Sequence, residues 1–136
     1  MREIVLQRFF QGNASDHELA ADVAGSLERR GNDVRVHIER MAAKFHVEAS
    51  HLIRVCDAVL AETLDPKDLV AIGFALQASD AFVWDGSTED GERVGETTSD
   101  WSAPEINFPL TIENVHGWKS YLTNGGRERL RTVLAG

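Results

Sequence analysis

Cysteine and long apolar runs are scarce in this chain. One cysteine, Cys56, stands among 136 residues, so no disulfide can form within the chain. No apolar stretch approaches the roughly 18 to 20 residues that a membrane-spanning helix needs. The first eight residues have a short apolar stretch interrupted by charge, which is unlike a signal-peptide core. These absences predict a cytoplasmic protein that does not enter a membrane.

The sequence patterns of catalysis and metal binding are also missing. There is no glycine-rich phosphate loop, no G-x-S-x-G elbow and no H-E-x-x-H helix. The histidines include no pair four residues apart, and no cysteine pair stands near them. The sequence therefore predicts no catalytic residue, no metal site and no cofactor, with a structural or surface role for His17, His37, His46, His51 and His116.

Composition predicts an ordinary folded domain. Apolar residues make up 43% of the chain and charged residues 26%, and both values are close to globular averages. No internal repeat, low-complexity tract or long linker divides the sequence. We expect a single α+β domain over residues 1–136, with an N-terminal helical bundle, a small antiparallel sheet and a short C-terminal helix.

Helical patterns dominate the first 80 residues. Residues 4–10 are rich in strand formers and predict a first strand. Ser15 and Glu18 form a capping-box pattern, which predicts a helix over 16–30. Apolar stripes predict further helices over about 33–45, 48–64 and 66–79. Together these four helices would form the bundle.

The pattern changes after residue 80. Residues 81–84 and 93–99 suit two short strands, and the glycines of 85–91 favour a turn between them. Pro104 and Pro109 bracket residues 105–108, and residues 110–112 alternate between apolar and polar, so a third run here suits a sheet edge. Asn114 can cap a short final helix, which Asn124-Gly125-Gly126 should stop.

Charge is distributed unevenly along the chain. The net charge is −8, but residues 57–116 hold 13 acidic and 2 basic residues, a net −11. The remaining residues are neutral up to 56 and net +3 from 117 onward. Such a segment would attract a basic partner and repel a phosphate backbone.

Large aromatic residues are interspersed among these acids. Aromatic anchors within a rim of carboxylates can hold a basic protein, because rings supply buried area while charges speed and orient the encounter. This combination predicts a non-enzymatic acidic binding protein, an inhibitor or immunity-type protein whose partner is basic. The predicted partner-binding residues are Trp84, Asp85, Glu89, Asp90, Glu92, Glu96 and Trp101.

A second pattern lies over residues 41–56. It has a small residue, Ala42, followed by an apolar residue, Phe45. Three further apolar residues follow, and they are Val47, Leu52 and Val55. The segment resembles the helix-turn-helix of bacterial repressors. This resemblance implies a DNA-binding transcriptional regulator, acting as a homodimer because one recognition helix offers few base contacts. The residues it would place at DNA are Arg40, Lys44, Ser50, His51 and Arg54.

A third alternative is a pocket between helices and sheet that binds a small molecule or substrate. An acid beside an apolar wall, such as Asp57 or Glu62, would mark it.

Overall fold

The computed structural model describes residues 1–30 and 33–132, giving only the backbone for residues 27–30, 33 and 34. Over these ranges the chain forms six helices and two small sheets of two strands each. The fold is therefore mixed helix-plus-sheet and mostly helical. The predicted four-helix bundle and the predicted antiparallel sheet after residue 80 are not confirmed.

The N-terminal segment is a helix, α1 (Glu3–Phe10), and the predicted first strand is wrong. Val5 and Phe9 are four residues apart, as are Leu6 and Phe10, and all four are buried. That spacing places them on one face of a helix, whereas a strand would alternate them with polar residues.

The second helix, α2 (Asp16–Ala24), begins as the sequence predicts. Ser15 accepts a hydrogen bond from the Glu18 amide at 3.1 Å, and the Glu18 side chain accepts one from the Ser15 amide at 3.4 Å. The helix ends at Ala24 rather than near residue 30. Its end is followed by β1 (Leu27–Arg30).

The predicted helix over 33–45 is wrong. Residues Asp33–Val36 form β2, which pairs antiparallel with β1 in the register Leu27 to Val36. In sequence, Val34, Val36 and Ile38 alternate with charged or polar residues, which is the period of a strand. The chain then continues through a loop to β3 (Phe45–His46).

The third and fourth predicted helices are confirmed with shorter bounds, as α3 (Ala49–Leu60) and α4 (Asp68–Ala78). Three large apolar residues of α4 are fully buried, Leu69, Ile72 and Leu76. Gly73 lets the next helix approach α4 closely, because a Cβ at Gly73 would lie 2.7 Å from Trp101 Cβ.

The segment after residue 80 is helical where a turn and a return strand were predicted. β4 (Phe82–Val83) lies within the predicted strand, but it pairs parallel with β3. α5 (Glu89–Ser102) replaces the predicted turn and the strand over 93–99. Val94, Thr97, Thr98 and Trp101 are buried at helical spacing. No strand is assigned to residues 105–112, all of which are described.

The last helix, α6 (Ile112–Asn124), begins earlier than predicted, because Thr111 rather than Asn114 caps it. It ends as predicted at Gly125, whose φ of 83° is left-handed and suits glycine. Trp101 of α5 and Trp118 of α6 meet edge to face, with ring centroids 6.2 Å apart. Buried apolar residues from Met1 to Leu130 form one continuous core around them. Each large buried side chain contributes about 1.5–3 kcal/mol.

Candidate functional site

The loop before α5 is held in one conformation by its own hydrogen bonds. The Asp85 carboxylate accepts from the Ser87 amide at 2.9 Å and from the Ser87 hydroxyl at 2.6 Å. These bonds hold the pKa of Asp85 below its ordinary value. Thr88 caps α5 by accepting from the Gly91 amide at 2.9 Å. Gly91 has no room for a side chain, because a Cβ there would lie 1.7 Å from the Asp85 carbonyl oxygen.

Three exposed carboxylates, Asp85, Glu89 and Glu92, form what we call the acidic surface. Glu89 and Glu92 are one helical turn apart on α5, and Asp85 precedes them in the loop. The Glu89 side chain is 92% exposed, and its nearest cation, Arg93, is 4.0 Å away. Among the side chains that the structure describes, those of residues 1–26 and 35–132, Glu92 has no ion-pair partner. The charge of this surface therefore faces solvent.

Asp90 lies in the same helical turn but has a structural contact. Its carboxylate accepts from the Ala49 amide, at 3.1 Å and 3.4 Å for the two oxygens. Ala49 is the first residue of α3, where unpaired amides and the helix dipole favour a negative group. Asp90 therefore joins the start of α5 to the start of α3.

The two predicted aromatic anchors have different surroundings. Trp101 is 0% exposed and packs on Trp118 in the core, so its predicted role as a surface anchor is wrong. Its position on the apolar face of α5 explains this burial. Trp84 is half-buried and lies against Gly95 of α5, next to Glu96. Of the two predicted anchors, Trp84 is therefore the one that is partly exposed.

Glu96 belongs to a polar cluster that the sequence analysis missed. Arg127 donates to Glu96 at 2.9 Å and to Asp100 at 3.2 Å, and Tyr121 donates to Glu96 at 2.5 Å. Trp118 donates its indole N–H to Asp100 at 3.1 Å. The sequence does contain a signal for this cluster. Glu96 and Asp100 are four residues apart, which places them on one face of a helix, and residues 117–136 supply bases that could pair with them.

Burial shapes the acid–base properties of this cluster. It raises the pKa of Asp100 above its ordinary value, while the bond from Trp118 and the charge of Arg127 oppose that rise. Burial and the Glu96 carboxylate raise the pKa of Tyr121 to about 12. A groove of about 420 Å³ runs beside the cluster, lined by Gly95, Glu96, Ser99, Asp100 and Arg127.

The segment 41–56 is not a helix-turn-helix, because its first helix is absent. Residues 41–48 contain only β3 and irregular backbone. Arg40 donates to the Ala78 carbonyl at 2.9 Å, and the Arg54 guanidinium lies 5.4 Å from the Phe9 ring centroid. Lys44 and Ser50 are exposed. The implied DNA-reading geometry for these residues is therefore wrong.

His51 has a structural environment on α3. Its ring packs against Phe10 and Phe45, with centroids 5.2 Å from each. Its Nδ1 accepts from the Glu48 amide at 2.8 Å, which closes a capping box. Burial lowers the pKa of His51 below 6.5.

Asp57 and Glu62, the acids predicted to mark a small-molecule pocket, have different surroundings. Asp57 is exposed and pairs with Lys119 at 2.6 Å. Glu62 borders a groove of about 520 Å³ that also contacts Asp65 and Asp68. Burial raises the pKa of Asp68. Burial also raises the pKa of the Cys56 thiol, which keeps that group protonated and unreactive.

Two kinds of larger feature are absent from the described residues, 1–30 and 33–132. There, no group of three His, Cys, Asp or Glu residues is placed to hold a metal ion. In the same residues, no helix has the length and apolar character needed to cross a bilayer.

Comparison with known proteins adds no identification: no family model, no curated protein and no solved structure matches this chain.

Proposed function

We propose that this chain is a non-catalytic binding protein whose acidic surface docks a basic protein, in the manner of an inhibitor or immunity-type protein. The observation that carries this proposal is the exposure of Asp85, Glu89 and Glu92 on a hydrogen-bonded loop and the first turn of a helix. A rigid display of this kind loses little conformational freedom on binding.

Charge supports the same function. The segment 57–116 has a net charge of −11, and one of its two bases, Arg93, lies only loosely beside Glu89. A surface of one sign speeds association with an oppositely charged protein and rejects partners of its own sign. The half-buried Trp84 precedes Asp85 in the chain and lies against Gly95 of α5, and its ring would supply apolar area for the same contact.

Affinity capture from a native lysate tests the proposal. The wild type is compared with Glu89→Lys/Glu92→Lys, which reverses the acidic surface and leaves the capping residue Asp90 in place. The matched control is Asp16→Lys/Glu113→Lys, which reverses two acids in the first turns of other helices. We expect the wild type and the control to retain a basic protein that elutes with salt.

The acidic-surface variant should lose that protein while keeping its circular dichroism spectrum. Equal capture by all three proteins would reject the acidic surface as the docking site. If the wild type captures DNA at low salt and Arg54→Ala does not, the result would favour a DNA-binding transcriptional regulator instead.

A further inference from the structure

Arg127 lies in a cage of two carboxylates and two aromatic rings. Glu96 and Asp100 accept its hydrogen bonds at 2.9 Å and 3.2 Å. Its guanidinium carbon lies 4.7 Å from the Tyr121 ring centroid and 5.3 Å from that of Phe108. Planar cations stack on aromatic faces within about 6 Å. The cage thus satisfies both the charge and the planar shape of a guanidinium.

The cage walls are themselves held in place. Asp100, whose side chain is 9% exposed, is fixed by the indole N–H of Trp118 at 3.1 Å. Glu96 is fixed by the Tyr121 hydroxyl. These bonds orient both carboxylates independently of Arg127. The walls should therefore persist when the Arg127 side chain leaves.

We infer that this cage is a binding site for an arginine side chain, occupied by Arg127 in the free chain and by an arginine of the basic partner in the complex. The inference deepens the proposed function and rests on it. It names the chemistry of the partner: a protein that presents an exposed arginine to α5.

Exchange of one arginine for another needs only a side-chain movement. The Arg127 side chain is 35% exposed, and the groove of about 420 Å³ gives access to it from solvent. The backbone around it is anchored further along, where Leu130 is buried and Asn114 accepts from the Arg131 amide at 2.9 Å. The cage also continues the acidic surface along α5, since Glu96 follows Glu92 by four residues.

Methylguanidinium chloride is the first probe, at millimolar concentrations too low to denature the protein. Thermal unfolding is measured for the wild type, Arg127→Ala, and the matched control Arg129→Ala, whose arginine is exposed in the same segment. We expect methylguanidinium to raise the unfolding temperature of Arg127→Ala and to leave the other two unchanged. Methylammonium chloride should give no such rise, because it lacks the planar fork.

Arg127→Gln provides a second variant in case Arg127→Ala does not fold. It removes the guanidinium but keeps a shorter polar side chain at the same position. The same selective rise is expected. No selective response in either variant would overturn the assignment.

Displacement of Arg127 is tested with N-acetylarginine amide, using tryptophan fluorescence because Trp118 bonds to Asp100. Arg127→Ala should bind this probe at least about tenfold more tightly than the wild type, in which Arg127 competes from within the chain. Equal affinities would show that Arg127 does not fill the site and would overturn the inference.

Failure of this inference is distinguishable from failure of the proposed function. A partner captured through Glu89 and Glu92, together with a cage that ignores guanidinium, would reject the cage alone. A cage that binds guanidinium, with equal capture by every variant, would reject the acidic surface as the docking site.

Discussion

The side chain of His51 couples the start of α3 to pH. Its Nδ1 accepts the Glu48 amide hydrogen, which a protonated ring cannot do. Burial between Phe10 and Phe45 also disfavours the charged form. The nearby charges act in both directions: Glu48 and Asp90 favour protonation, whereas Arg54 and His46 oppose it.

We predict that acid destabilises the protein through this residue. The pKa of His51 is lowered from 6.5 on folding, so the unfolded chain binds more protons between the two values and stability rises with pH. Stability should therefore fall as the pH drops from 6.5 through the folded pKa. Urea unfolding at a series of pH values measures this.

The test variant is His51→Gln, which keeps an acceptor for the Glu48 amide but cannot titrate. It should lose much of the decline, whereas His17→Gln, at an exposed position on α2, should retain it. The same decline in His51→Gln as in the wild type would contradict the assignment.

Gly91 and Gly86 make a matched pair around the acidic surface. A Cβ at Gly91 would overlap the Asp85 carbonyl, whereas nothing lies within 4 Å of a Cβ at Gly86. We predict that Gly91→Ala destabilises the protein by about 1–3 kcal/mol, although alanine is the better helix former. Gly86→Ala should stay within about 0.5 kcal/mol of the wild type. Urea unfolding measures the free energy of unfolding of both variants. A Gly91→Ala variant as stable as the wild type would show that the loop before α5 adjusts freely.

At the scale of elements, the beginnings of α3 and α5 depend on each other through Asp90. Its two oxygens accept from the Ala49 amide, so the first turn of α5 caps α3. We predict that Asp90→Ala lowers the free energy of unfolding by about 0.5–2 kcal/mol. Glu92→Ala, which removes the same charge from the same turn, should change it by less than about 0.5 kcal/mol. Chemical denaturation of both variants measures the difference, and equal effects would mean that the cap contributes nothing.

Local signals along the chain predicted several elements well. The Ser15 and Glu18 capping box marks the start of α2, and Gly125 marks the end of α6. The apolar face of α3 is also clear from sequence. Each of these features is decided by residues within a few positions of one another, which is why a single sequence contains them.

The predictions for β2 and α5 are wrong because the sequence of each also fits another kind of element. Val34, Val36 and Ile38 alternate with polar residues as in a strand, but Val34 and Ile38 are also four residues apart, as on the apolar face of a helix. In α5, the glycines of 85–91 favoured a turn and masked the helix cap at Thr88. The parallel pairing of β3 with β4 joins residues about 37 positions apart, and no local rule predicts it.

The candidate site was foreseen only in part. The acidic segment was identified, but its division into exposed acids, a helix cap and an arginine cage depends on contacts between distant residues. Arg127 comes from the tail and Ala49 from α3, so the roles of Glu96 and Asp90 appear only in the folded chain.

Across the whole molecule, the tail neutralises part of the acidic segment. Lys119 pairs with Asp57, and Arg127 pairs with both Glu96 and Asp100. These contacts use bases from residues 117–132 on acids away from the start of α5. Among the described side chains, Arg93 is the one base that forms an ion pair with the acidic surface, 4.0 Å from Glu89.

The central claim is that this surface binds a basic protein by charge. Its most direct test is the dissociation constant of the captured partner, measured by calorimetry from about 50 mM to about 500 mM salt. We predict that affinity falls at least about tenfold over this range for the wild type, and that Glu89→Lys/Glu92→Lys is weak throughout. An affinity that does not change with salt, and that the double variant shares, would contradict the claim.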